Sequence, residues 1–208
     1  KSTYVSTTGK YIEKFENKLC EFTNSKYAIA VNSGTSALHA SLIVAGVKQK
    51  DEVLLPSLSF VAPANAIKYC FAEPHFIDVD LKTMGICPKK LDEYLKKIVI
   101  FKKGNSYNRK TKRKISAIII VHMYGHPCQI DKIKKITKKY NIKIIEDSAE
   151  SLGSFYKSNH TGTFTNYGCF SFNGNKIITT GGGGAVITNS KDIAKQIKHI
   201  VSTSKIPH

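Results

Sequence analysis

Short apolar runs recur along the whole chain and are separated by longer, mixed segments. The runs are rich in Ile, Val, Leu and Ala, as in YAIAV at 27–31 and ISAIIIV at 115–121. Runs of this length and composition predict buried strands. We therefore predict strands at 27–31, 52–55, 75–79, 115–121, 143–146, 170–172 and 185–188.

The segments between these runs carry apolar residues at the spacing of amphipathic helices. In the first one, Tyr11, Ile12, Phe15 and Leu19 would share one helical face. Further helices are predicted at 37–45, from about 60 to Tyr69, and at 88–97, 129–140 and 191–201. The stretch 102–114 (KKGNSYNRKTKRK) has one aromatic residue and seven basic residues, and is interpreted as an exposed loop.

The alternation of strands with helices predicts an α/β fold. Right-handed crossovers between parallel strands would give a three-layer α/β/α domain with a mainly parallel sheet, over residues 1–208. Such sheets bind ligands at the carboxyl ends of their strands. Polar residues stand at several predicted strand ends, namely 33–36, 57–60, His122 and Asp147.

Composition narrows the class of protein. Apolar residues make up 41% of the chain, as in a globular domain, and no run is long enough to cross a membrane. The first residues lack an apolar signal core, and the chain begins without Met, which suggests that the natural start is missing. Five scattered cysteines without a C-x-x-C pair indicate reduced thiols in the cytoplasm and no zinc or other metal site.

The net charge of +17 raises the possibility of nucleic acid or an anionic membrane as a partner. The basic residues are nearly all lysines, however, and they occur with Ile and Asn along the whole chain. No recognised nucleic-acid-binding motif accompanies them. A lysine-rich composition is the simpler explanation, so we expect neither nucleic acid nor a membrane among the partners.

The segment SFNGNKIITTGGGG at 171–184 places Lys176 between an apolar run and four glycines. Lys176 could be a solvated loop residue, with the glycines serving only to permit turns. It could instead point into a pocket, where a desolvated amine can form a Schiff base with a carbonyl cofactor. The segment alone favours the first hypothesis, because lysines are usually exposed.

Other candidate residues also allow two interpretations. Gly34, Thr35 and Ser36 join a strand to a helix, so they could bind a phosphate at the helix start or form an ordinary cap. Asp147 ends a strand and could cap a helix or pair with a buried cation, such as a pyridinium nitrogen. Glu150 could face the same ligand as Asp147, and Phe60 could stack on a flat ring or pack in the core.

Seven ordered segments change the balance between these interpretations. They cover nearly the whole chain and are STTGKYIEKFE, NSGTSALHASL, LPSLSFVAPANAI, FIDVD, IIIVHMYGHP, IIEDSAESLGS and GTFTNYGCFSFNGNKIITTGGGG. In this order they closely resemble the sugar aminotransferases of the DegT/DnrJ/EryC1/StrS family. That family uses pyridoxal phosphate on the type I fold, the fold of aspartate aminotransferase.

The resemblance implies a role for each candidate residue. Lys176 would be the Schiff-base lysine, Asp147 would pair with the pyridine nitrogen, and Phe60 would stack on the ring. Thr35, Ser36 and Ser171 would hold the phosphate, which Gly34 would allow to approach closely. Glu150 stands where many relatives carry Gln or His near the ring hydroxyl.

The resemblance also implies a reaction and an assembly. L-Glutamate would donate its amino group to a nucleotide-linked 4-keto-6-deoxy sugar, and the enzyme would be a homodimer. The segments EDSAESLGSFYK and SFNGNKIITTGGGG are most similar to those of the family branch that acts on UDP-4-keto-6-deoxy-N-acetylhexosamines, in surface-glycan or nonulosonic acid biosynthesis.

Three alternatives remain at this point. Members of the family continue past the position that corresponds to VSTSKIPH and form a small C-terminal domain there. The chain could therefore be an incomplete fragment that binds cofactor or a partner chain without turnover. A dehydratase of the same fold would carry histidine in place of Lys176, which argues against that activity. A nucleic-acid binder would leave the pocket motifs without a use.

Overall fold

The fold is a three-layer α/β/α sandwich, as predicted, and the computed structural model describes residues 9–202. Nine of the strands form one sheet, whose main path runs β1-β11-β10-β7-β6-β2-β3. The strands are β1 (Tyr27–Val31), β2 (Glu52–Pro56), β3 (Glu73–Ile77), β4 (Val99–Lys102), β5 (Asn105–Asn108), β6 (Lys114–Val121), β7 (Lys143–Asp147), β8 (Phe155–Tyr156), β9 (Asn159–His160), β10 (Gly168–Ser171) and β11 (Gly184–Thr188).

Most of this path is parallel. The four pairs from β10 through β7, β6 and β2 to β3 are parallel, whereas β11 is antiparallel to both of its neighbours, β1 and β10. Strand β5 pairs antiparallel with β4 and with the start of β6. Strands β8 and β9 form a separate hairpin.

Helices cover both faces of the sheet. They are α1 (Lys10–Thr23), α2 (Gly34–Val44), α3 (Val61–Tyr69), α4 (Pro88–Ile98), α5 (Ile130–Lys139) and α6 (Lys191–Val201). Helices α2, α3 and α6 share one apolar cluster with the sheet, and α4 and α5 share another. Helix α1 packs through Leu19 on Ala28, Phe170 and Ile187, beside the α4/α5 layer.

Alternation along the central strands explains why they are apolar throughout. In β6, Ile119 belongs to the α2/α3/α6 cluster, while its neighbours Ile118 and Ile120 belong to the α4/α5 cluster. All three are fully buried. A strand covered on both faces needs an apolar residue at every position, and each buried isoleucine contributes about 1.5–3 kcal/mol.

Several predicted elements differ from the structure. Strand β10 spans Gly168–Ser171 rather than 170–172, and helix α2 begins at Gly34 rather than at residue 37. Strand β3 spans Glu73–Ile77 rather than 75–79. The prediction of a loop at 102–114 was wrong, because β5 lies inside it and β6 already begins at Lys114. A polar anchor explains the hairpin: the buried Glu52 carboxylate accepts hydrogen bonds from Asn108 Nδ2 at 2.8 Å and from the Thr111 hydroxyl.

The expectations drawn from residues 1–8 and from the final residues, 203–208, lie outside the described part of the chain. Within residues 9–202, no helix combines the length and the apolar character needed to cross a bilayer. The same range contains no group of three or more His, Cys, Asp or Glu residues placed to hold a metal ion. All five cysteines are free thiols.

Candidate active site

A pocket of about 310 Å³ opens at the carboxyl ends of β1, β6, β7 and β10, where the sequence predicted a ligand. This volume lies at the lower end of the range for small-molecule sites. Seven of the eight residues proposed from sequence line it: Gly34, Thr35, Phe60, Asp147, Glu150, Ser171 and Lys176. The eighth, Ser36, lies outside it.

Lys176 points into this pocket rather than into solvent. Its side chain is 11% exposed, and its Nζ donates a hydrogen bond to Glu150 Oε1 at 3.1 Å. The same Nζ lies 5.7 Å from the centroid of the Phe60 ring, within the range of a cation–π contact. The lysine is therefore held between a carboxylate and an aromatic face.

Glu150 is anchored at its other oxygen by a neighbouring loop. The backbone N–H of Tyr124 donates to Glu150 Oε2 at 3.0 Å, from a residue with the left-handed φ of 51°. Next to it, Gly125 has φ 82°, and a Cβ there would lie 2.9 Å from the Glu150 carbonyl oxygen. The two loops are packed so closely that the position of the Glu150 carboxylate depends on both.

Asp147 is a buried carboxylate with few partners. It ends β7, is 6% exposed, and accepts one hydrogen bond, from the Ala149 amide to Oδ1 at 3.1 Å; among the described residues no other hydrogen bond reaches this carboxylate. Burial raises the pKa of Asp147 to about 6, although the Ala149 amide and the nearby Lys176 charge oppose that shift. Such a group stabilises a cationic or protonated ligand atom placed next to it.

The start of α2 forms the opposite wall. Helix geometry leaves the amides of Gly34 and Thr35 without intrahelical acceptors. A Cβ on Gly34 would lie 2.8 Å from the Ser171 Cβ, so the end of β10 packs directly against this helix start. Free amides, the helix dipole and the Ser171 hydroxyl together suit an anion such as a phosphate.

Ser36 has a different place. The Ser33 hydroxyl caps α2 by accepting from the Ser36 amide at 3.1 Å, and the two hydroxyls lie 3.0 Å apart. Ser36 faces a separate depression that includes Ile12 and His39. The structure therefore assigns Ser36 to the helix cap and does not bring it to the pocket.

Two buried residues form a support that the sequence did not reveal as a pair. His122 lines the pocket, and its ring is fixed by the Cys128 amide, which donates to Nδ1 at 3.3 Å, and by Glu146 Oε2, 3.4 Å from Nε2. Glu146 in turn accepts from the amides of Gly162 at 2.8 Å and Thr165 at 2.6 Å. In the sequence, His122 could be recognised as a polar residue at a strand end. No sequence pattern pointed to Glu146 as its partner.

Three asparagines also line the pocket and were not proposed from sequence. Asn32 directly follows β1, and Asn173 and Asn175 flank Gly174 just before Lys176. Asn173 Nδ2 donates to Asn175 Oδ1 at 3.1 Å, and both residues are exposed. Their amides add donors and acceptors beside the lysine.

The pocket residues fit the functional groups of pyridoxal phosphate. The start of α2 with Ser171 suits the phosphate ester, the under-satisfied Asp147 suits a protonated ring nitrogen, and the Lys176 amine suits the aldehyde. The Phe60 ring offers a flat apolar surface at the same place.

Comparison with curated proteins gives relatives with consistent names. The chain is 41% identical over 198 residues to a GDP-perosamine synthase of Escherichia coli O157:H7, covering 95% of this chain and 50% of that one. It is 40% identical over 195 residues to a UDP-4-amino-4,6-dideoxy-N-acetyl-beta-L-altrosamine transaminase of Campylobacter jejuni, covering 93% and 48%. The chain thus spans about half the length of the curated relatives it matches.

Comparison with solved structures indicates the same kind of protein as the curated relatives. The fold matches the crystal structure of a DegT DnrJ EryC1 StrS aminotransferase from Brucella abortus with a TM-score of 0.84, at 28% identity over 92% of this chain and 49% of that one. The model of the DegT/DnrJ/EryC1/StrS aminotransferase family matches residues 1–206. The chain therefore belongs to the DegT/DnrJ/EryC1/StrS aminotransferase family.

Proposed function

We propose that this protein is a pyridoxal phosphate-dependent aminotransferase of nucleotide-linked 4-keto-6-deoxy sugars, with L-glutamate as the amino donor. The observation that carries the proposal is the largely buried Lys176, placed in one pocket with Asp147, Phe60 and the start of α2. The names of the relatives support the sugar-nucleotide substrate. Within that class we propose UDP-4-keto-6-deoxy-N-acetylhexosamine, in surface-glycan or nonulosonic acid biosynthesis.

Lys176 has two tasks in this proposal. When bound, pyridoxal phosphate supplies an aldehyde that reacts with amines and a ring that stores an electron pair. Lys176 Nζ would be the covalent anchor of the cofactor at rest. Once released, the same Nζ takes a proton from the α-carbon of glutamate and, in the second half-reaction, returns one to the sugar C4. A single flexible amine can serve as both anchor and base.

The surrounding residues orient the reaction. Asp147 would pair with the protonated ring nitrogen, and Phe60 would pack on the ring. Gly34, Thr35 and Ser171 would hold the phosphate, with Ser36 fixing the helix start through its cap. Glu150 accepts a hydrogen bond from Lys176 Nζ at 3.1 Å, and the Tyr124 amide keeps that carboxylate in place. The lysine is thereby kept beside the reacting atoms between its two tasks.

We also propose that residues 1–208 form the cofactor-binding domain and that it assembles as a homodimer. Large apolar side chains are exposed close to the pocket on two segments, Leu58, Phe60 and Val61 on one and Ile177 and Ile178 on the other. An apolar surface around a pocket favours association, and the usual self-complementary arrangement is a two-fold dimer. Light scattering after size-exclusion chromatography measures the mass; a monomer at all concentrations would contradict this assembly.

Covalent labelling tests the central assignment. We expect pyridoxal phosphate to give a visible or near-ultraviolet absorbance band with the purified protein, and borohydride reduction to fix the label on Lys176. Lys176→Ala should abolish the band, whereas the exposed control Lys195→Ala should leave it unchanged. A label spread over surface lysines, with the band retained in Lys176→Ala, would refute the role of Lys176.

Separate half-reactions test the substrate. Glutamate should convert the bound cofactor to its amino form, which is seen as loss of the absorbance band and production of 2-oxoglutarate. The amino form should then react with a UDP-linked 4-keto-6-deoxy-N-acetylhexosamine faster than with a GDP-linked 4-keto-6-deoxy sugar. Preference for the GDP sugar would replace the proposed nucleotide, and failure with both would refute the substrate class.

A further inference from the structure

The positive charge of this protein is concentrated in one part of the fold. Residues 88–143 contain 17 Lys and Arg but three Asp and Glu, so they carry +14 of the net charge of +17. These residues form α4, β4, β5, β6 and α5, which are one helical layer, its hairpin and a central strand. A uniform composition bias would spread the charge over all layers. The remainder of the chain carries +3.

Within this layer, three basic segments meet at one corner. The tip of the β4–β5 hairpin is joined to the end of α5 by hydrogen bonds from Ser106 Oγ to the Tyr140 carbonyl, at 2.6 Å, and from Asn141 Nδ2 to the Gly104 carbonyl, at 2.8 Å. Helix α4 runs directly into β4. We call this corner the basic tip; its lysines are Lys96, Lys97, Lys102, Lys103, Lys138 and Lys139.

Acidic residues compensate little of this charge. Asp92 pairs with Lys96 and with Lys139, and among the described residues no ion pair is recorded for the other four lysines. All six lysines are exposed. At the hairpin, Phe101 is 53% exposed beside Lys102 and Lys103, so the basic tip presents an aromatic side chain together with its charges.

The basic tip lies at the opposite edge of the sheet from the pocket. Strand β5 pairs with the first residues of β6, Tyr107 with Lys114 and Ser106 with Ile115, which is the amino edge of the parallel strands. The pocket lies at their carboxyl ends. A partner bound at the basic tip would therefore leave the pocket accessible.

We propose that the basic tip docks this protein peripherally on an anionic lipid bilayer. Lysines near a negatively charged membrane surface are attracted to it, and an exposed aromatic residue beside them can enter the headgroup region. A projecting tip with one aromatic residue fits a flat surface better than a nucleic acid strand, which needs a groove with successive stacking platforms. The inference does not depend on the proposed enzymatic activity, and it departs from our expectation from composition.

Vesicle co-sedimentation tests the proposal. The purified protein is mixed with vesicles of phosphatidylcholine alone, or with vesicles in which phosphatidylglycerol replaces part of it. We expect binding to the anionic vesicles only, weakened by salt. Replacing both hairpin lysines (Lys102→Ala and Lys103→Ala) should weaken partitioning about thirty-fold. Phe101→Ser should also weaken it, and since all three residues are exposed, circular dichroism should be unchanged.

The matched control removes the same charge elsewhere. Lys191→Ala and Lys195→Ala are exposed substitutions on α6, in the other helical layer, and should change partitioning less than about three-fold. An equal loss in this control would show that total charge, not the basic tip, is responsible. Absence of vesicle binding at low salt, or binding of duplex or single-stranded DNA without vesicle binding, would overturn the proposal.

Discussion

Asp147 should lower the free energy of unfolding of the cofactor-free protein at neutral pH, because its ionised carboxylate is buried with one hydrogen bond. The carboxyl has an ordinary pKa of 3.8 in the unfolded chain, and burial raises its pKa to about 6 in the fold. Between these two values the folded state keeps a proton that the unfolded state has lost. Stability therefore falls as the pH rises through this window, by about 3 kcal/mol in total.

The substitution Asp147→Asn removes this cost. The amide oxygen can still accept the hydrogen bond from the Ala149 amide, but the side chain carries no charge at any pH. We expect the variant to be more stable than the native protein by up to about 3 kcal/mol above pH 6, with the gain disappearing as the pH falls towards 3.8. Since the chain has no Trp, urea unfolding is best followed by far-ultraviolet circular dichroism across this pH range.

Two controls make the result specific. Glu93→Gln removes a carboxylate that is exposed on α4 and should change stability by less than about 0.5 kcal/mol at every pH. Pyridoxal phosphate should stabilise the native protein more than the variant, because the native carboxylate gains a cationic partner. A variant that is less stable than the native protein at neutral pH, or whose gain in stability does not depend on pH, would refute the view that the buried Asp147 carboxylate destabilises the fold.

Two further substitutions test the packing around the pocket and the hairpin anchor. Gly34→Ala would place a Cβ 2.8 Å from the Ser171 Cβ, so titration with pyridoxal phosphate should show at least about ten-fold weaker binding, whereas Gly174→Ala, which meets nothing within 4 Å, should bind normally. Burial opposes ionisation of Glu52, but hydrogen bonds from His75, Thr111 and Asn108 hold its pKa below the ordinary 4.5. Glu52→Gln should therefore destabilise the fold most above pH 4.5 and less as the pH falls, and a loss that grows on acidification would contradict this reasoning.

Hydrophobic patterns located elements whose burial follows from their own sequence. The bounds of β1 (Tyr27–Val31) and α6 (Lys191–Val201) agree with the prediction, because one is a short apolar run and the other an amphipathic segment capped by Ser190. Strand β5 was missed since its residues, Asn105–Asn108, are polar or aromatic. Its position depends on β6 and on the distant carboxylate of Glu52, which no local pattern contains.

The same distinction applies to the pocket. Strand ends in a parallel sheet share one edge, so placing Asp147 and Gly34 near each other required the topology alone. The sequence could not decide the place of Ser36, because a hydroxyl at a helix start can cap the helix or face a ligand. In the structure its amide donates to the Ser33 hydroxyl, and the residue lies outside the pocket lining. Glu146 was overlooked because its acceptor role is set by the amides of Gly162 and Thr165, on a turn that follows it in the chain.

The antiparallel strand β11 also determines when the protein can mature during synthesis. Strand β1 joins the sheet through β11, with Tyr27 opposite Thr188 and Val31 opposite Gly184. The first strand must therefore wait until residue 188 has been translated, on the order of ten seconds at ribosomal rates. Until then the start of α2 has no β10–β11 pair against which to pack, and the nascent chain has no complete pocket. Such distant pairing slows folding, so the pocket is completed late.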